Sequence, residues 1–65
     1  MARFTVTRRG VSGPGEGGQY TYSTRAGSAE EAVEKTAAKA ERPHHRINRG
    51  GTVLDPEPTD ITRID

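Results

Sequence analysis

Sixty-five residues with a formal charge of +1 and no cysteine make one domain at most, and no disulfide or thiolate-held metal can staple it. Phe, Leu, Ile and Val number only 9 of the 65, so the core is small, but the absence of a high net charge argues against a wholly disordered chain. No apolar run approaches the roughly 18 residues of a membrane span, and the segment MARFTVTRR has no hydrophobic signal-peptide core; the expectation is a cytoplasmic protein with no membrane partner.

Residues 2–9, ARFTVTRR, alternate, with Phe4 and Val6 on one side and Arg3, Thr5, Thr7 and Arg9 on the other. Period two with β-branched residues predicts a half-buried strand. Residues 10–18, GVSGPGEGG, carry five glycines and a proline and are expected to form a flexible hairpin loop. That loop lacks the lysine and the following helix of a phosphate-binding P-loop. The stretch QYTYSTRA, residues 19–26, alternates again, so the two strands pair as an antiparallel hairpin.

Residues 28–41 predict a helix. Ser28 is an N-cap, with Glu31 three residues on completing a capping box. Ala29, Ala32, Val33, Thr36, Ala37 and Ala40 form one stripe at helical spacing. Glu31 and Lys35 stand at i, i+4. Pro43 disfavours helical geometry at Arg42, which ends the helix near Glu41.

Beyond the proline, HRINR-GG-TVLD reads either as a two-residue hairpin or as a single third strand over 51–55. DPEP breaks any regular element, and residues 56–65 are expected to be an extended or frayed acidic tail. Charge follows this division: residues 1–54 hold nine Lys/Arg against five Glu, and residues 55–65 hold one Arg against four acids. The predicted fold class is α+β, a small antiparallel sheet in β-β-α-β order with one alanine-rich helix packed on one face. The single domain spans 1–55, with Phe4, Val6, Tyr20, Tyr22, Ala32, Val33, Ala37, Val53 and Leu54 as its core.

The densest chemistry is RPHHRINRGG, residues 42–51. Adjacent residues in an extended chain face opposite ways, so His44 and His45 do not chelate one ion together, and no metal or cofactor is expected. The segment reads as a polar connection or as a basic contact region including Arg42, His44, His45, Arg46 and Arg49. The outward face of the first hairpin is the second candidate. It carries Arg3, Arg9 and Arg25 with several hydroxyls and no acid, donors suited to phosphate oxygens. Tyr20 and Tyr22 lie on the hydrophobic side, which leaves that outer face without a base-stacking platform.

No nucleophile motif or enclosed acid pair indicates an enzyme. The reading is a small non-catalytic binding module, a protein-interaction or regulatory protein, with self-association through a sheet edge as one mode of partnership. The alternative is DNA or RNA binding through Arg3, Arg9, Arg25 and the 42–49 segment. A net charge of +1 is weak for that alternative.

Overall fold

The computed structural model describes all residues, 1–65. Six elements follow in order: β1 (Ala2–Ser12), β2 (Gln19–Ala26), α1 (Ala29–Ala40), α2 (Pro43–Asn48), β3 (Val53–Leu54) and β4 (Asp60–Arg63). The class is α+β, with a four-stranded antiparallel sheet and α1 packed against it. The element order is richer than β-β-α-β, because residues 43–48 are a short helix and the tail contributes a strand.

β1 is the centre of the sheet. One edge pairs with β2 in unbroken register from Ala2↔Ala26 to Arg9↔Gln19. The other edge is shared: β4 covers Phe4 to Thr7, and β3 covers Gly10 to Ser12 around a bulge. The backbone N–H of Asp55 donates to Arg9 O at 2.8 Å and that of Thr59 to Thr7 O at 2.8 Å. β3 and β4 are thus one path along β1, interrupted opposite Arg8. The interruption holds Pro56 and Pro58, which have no N–H to give to a ladder. The expected acidic tail is extended, and part of it is paired.

Alternation along β1 buries Phe4 (8% exposed) and Val6 (0%) beneath α1, and the same period carries Arg8 inward (2%). Phe4, Val6, Ala26 and Ala32 make the apolar core, with Ala2 and Ala29 at its margin. The helix faces the sheet along the i, i+4 row Ala32–Thr36–Ala40. Three expected core positions differ. Ala37 is exposed because the buried stripe is narrower than the six-residue one, and Val33 is half-buried. Val53 is 53% exposed, since neighbouring strand residues face opposite ways and Leu54 takes the inward position. Tyr20 and Tyr22 lie on the inner face as expected, but half-buried at its border.

Local sequence explains the caps. Ser28 Oγ accepts from Glu31 N at 3.2 Å, and Glu31 Oε1 accepts from Gly27 N at 2.9 Å, one residue earlier than the usual capping box. Pro43 does end α1, and it also opens α2 at N1, where its fixed φ and missing N–H are harmless. This corrects the hairpin reading of HRINR-GG-TVLD: residues 45–48 of the strand proposed to pair with 52–55 are helical. α2 closes with Gly51 N donating to Arg46 O and Gly50 N to Ile47 O. Both glycines have left-handed φ, 65° and 79°, the geometry of a Schellman motif.

The glycine-rich stretch is shorter than expected, because β1 runs on to Ser12. Its remainder folds back on the body. Gly15 N donates to Thr52 Oγ1 at 2.8 Å, and a Cβ at Gly15 would overlap the Tyr20 hydroxyl. Close backbone approach is the reason for glycine there.

Candidate functional surfaces

The hairpin register sets the first surface. Arg3 faces Arg25, Thr5 faces Ser23, Thr7 faces Thr21 and Arg9 faces Gln19. These side chains point away from α1, and the Thr7 and Thr21 hydroxyls meet at 2.8 Å. β4 extends the surface with Thr62 opposite Thr5 and Asp60 opposite Thr7. Arg3, Arg9 and Arg25 are all exposed, as the alternation predicts. The acids lie on the β3–β4 side, so the face grades from basic at β2 to acidic at its opposite margin.

Like charges directly across a ladder repel, yet Arg3 stands opposite Arg25. The pair is also of the closer kind. Arg3, Thr7 and Arg9 turn their carbonyls toward Ile64, Thr59 and Asp55, hence away from β2. Residues paired in this way are non-hydrogen-bonded partners, whose side chains approach nearest.

The second surface is the outer edge of β2. Ser23 and Arg25 direct their carbonyls away from β1. Lys39 Nζ donates to Ser23 O at 3.1 Å, and Lys35 Nζ to Arg25 O at 3.0 Å. Lys35 also pairs with Glu31 at 3.4 Å, which holds Glu31 below the usual carboxylate range together with the larger effect of the Gly27 N–H. Two flexible cationic arms thus cover part of an otherwise unpaired strand edge, a common means of blunting it.

Segment 42–49 does not join the hairpin surface. α2 packs on α1, on the opposite side of the sheet from Arg3, Arg9 and Arg25. Arg42, His44 and Arg46 are exposed, and Arg46 lies 3.9 Å from Glu41. His44 Nε2 is 3.2 Å from Asn48 Nδ2. His45 is half-buried with its ring edge-on to Tyr22, centroids 5.6 Å apart. Desolvation, then the charges of His44, Lys39, Arg42 and Arg49, hold its pKa below the ordinary imidazole value. No group of three or more His, Cys, Asp and Glu side chains gathers around it or elsewhere.

Arg49 is a correction. It is 7% exposed and faces the protein, not a partner. Its Nε donates to Thr52 O at 2.6 Å, Nη1 donates to Ala40 O, and Nη2 meets Glu41 Oε1 at 3.1 Å. These bonds satisfy the carbonyl end of α1, where a cation is favourable.

Sequence reasoning set Lys35 against Glu31, where the structure has it, but missed its bond to the β2 edge and passed over Lys39 and Arg8. The i, i+4 spacing of the two lysines puts both on one flank. Arg8 falls on the Phe4/Val6 side by simple parity, which was the available signal.

No family model, curated protein or solved structure matches this chain. No helix is long and apolar enough to cross a membrane.

Proposed function

We propose that the chain is a non-catalytic protein-binding module that takes an extended, acidic segment of its partner along the outer edge of β2. The observation that carries this reading is the pairing of an eight-residue strand with Lys35 and Lys39 set over its outward carbonyls. Strand addition needs main-chain groups that the sheet has not used: Thr21, Ser23 and Arg25 turn theirs away from β1, and only the lysine ammoniums on Ser23 O and Arg25 O have to be displaced. The lysines lose little on leaving a neutral carbonyl and gain on meeting a carboxylate. Arg25 adds a third charge beside them.

The test is an amide NMR titration with an eight-residue peptide alternating glutamate and valine. The expected result is a perturbation at Thr21, Ser23 and Arg25 that weakens with salt and disappears in the Lys35→Glu/Lys39→Glu double variant. Unmoved amides at millimolar peptide would sink the reading. Light scattering on the free protein distinguishes a second copy of the chain as occupant of the same edge.

A second reading, DNA or RNA binding, is favoured by the uncovered face where Arg3, Arg9 and Arg25 stand among hydroxyls. Binding through several phosphates predicts affinity that falls steeply with log salt, and no association with duplex DNA at about 50 mM salt removes it.

A further inference from the structure

Arg3 and Arg25 share a feature that neither strand addition nor a groove contact requires. Each is exposed and neither guanidinium has an ion-pair partner; the paired cations are Lys35, Arg46, Arg49 and Arg63. They line one side of an open cleft of about 410 Å³, bordered elsewhere by Met1, Ile64 and Asp65. That volume lies within the range of small-molecule sites. Its only carboxylate side chain, Asp65, is held 3.5 Å from Arg63 Nε.

We infer that this cleft is a binding site for a small phosphomonoester with an apolar body. A carboxylate satisfies one guanidinium through two oxygens, whereas a phosphate offers enough oxygens for two forks at once. The close, non-hydrogen-bonded register starts Arg3 and Arg25 from neighbouring backbone positions, and both line the cleft, so two forks can meet one anion there. The anion removes the repulsion between them, which supplies a binding energy that a lone arginine lacks. Met1 and Ile64, 80% and 51% exposed, provide apolar contact for the rest of the molecule. Asp65 is the internal competitor for the same cations. The site meets the β2 edge at Arg25, whereas Arg3 belongs to the cleft alone and takes no part in strand addition.

The probe is phenyl phosphate, followed by calorimetry and by amide spectra of the intact protein. The expected outcome is binding with perturbations at residues 2–4, 24–26 and 63–65. Arg3→Gln and Arg25→Gln should each weaken it about tenfold or more, Arg9→Gln should leave it unchanged, and Asp65→Asn should strengthen it. All four positions are exposed, and the spectra confirm that each variant keeps its fold. Benzoate should bind more weakly than phenyl phosphate. Inorganic phosphate binding as tightly as phenyl phosphate would overturn the apolar half of the site. Affinity unchanged in Arg3→Gln and Arg25→Gln would overturn the whole, as would duplex DNA binding to which Arg9 contributes as much as Arg3. An Arg3→Gln defect with intact peptide binding at β2 separates this site from the strand-addition reading.

Discussion

Arg8 reaches beneath α1 and donates from Nη1 to the Thr36 hydroxyl at 2.9 Å and from Nη2 to Val33 O at 3.0 Å. Thr36 in turn donates to Ala32 O at 2.8 Å. The guanidinium is therefore held entirely by neutral oxygens, 2% exposed, with no carboxylate beside it. Burial lowers its pKa from the usual arginine value, with Tyr22 acting in the opposite sense.

A buried charge without a counter-ion is costly, and an apolar side chain of similar length often replaces one without loss. Arg8→Met should leave the thermal midpoint equal or raised. Arg8→Ala should lower stability by about 2 kcal/mol or more, because it removes both hydrogen bonds and the packed stem. Chemical denaturation of the two variants separates the contributions; equal losses in both would assign the stability to the charge.

Arg49 and Arg46 make a matched comparison, since both approach Glu41. Arg49→Ala strips the carbonyl end of α1 and the Thr52 carbonyl of their donor, and should cost about 2–3 kcal/mol. Arg46→Ala, at an exposed pair, should stay within about 0.5 kcal/mol of the parent. Urea midpoints provide the measurement.

Gly15→Ala forces a methyl against the Tyr20 hydroxyl and Thr52 Oγ1. A destabilisation of about 1–3 kcal/mol is expected, partly relieved by Tyr20→Phe. Gly27→Ala is the control: nothing lies within 4 Å of its added Cβ, and its stability should be close to the parent's.

His45 makes stability depend on pH. Its folded pKa is depressed, so the unfolded chain takes up the proton first as pH falls. Stability is complete above the unfolded imidazole value, declines as pH drops through it, and levels off below the folded value. The facing groups are His44, Lys39, Arg42 and Arg49, with the Tyr22 ring against the imidazole. His45→Gln should flatten thermal midpoints across that window. A curve of unchanged slope would show that His45 is not the source of the pH dependence. Glu31 acts in a lower range: its depressed pKa gives a contribution present above the unfolded carboxylate value and lost as pH falls through the folded one.

What was legible in the sequence was local. Alternation in residues 2–9 and 19–26 gave the hairpin and the outward set Arg3, Arg9 and Arg25. Ser28 and Glu31 marked the start of α1, and Pro43 marked its end. What escaped depends on distant partners. PHHRIN has no apolar stripe, so α2 carries no periodic signal, and Pro43 at N1 looks the same as a breaker. Asp60–Arg63 becomes a strand only because β1 offers an open edge more than fifty residues earlier. Arg49 differs from Arg46 by its position relative to the end of α1, which no spacing rule states. Val53 and Leu54 are both expected in the core, although neighbours in a strand face opposite ways and only one of them can point inward.

The pairing of β1 with β4 has a consequence for how the molecule is made. β1 is flanked by β2 and β4, so the sheet is incomplete until residue 63 has been synthesised. Such long sequence separation slows folding, and a nascent chain would leave the Phe4–Thr7 edge open to the solvent meanwhile. The same neighbourhood brings Met1 and Asp65 to one cleft. A short linker between them, with new ends cut at exposed Gly17, should yield a circular permutant that folds and in which β4 precedes the strand it must join.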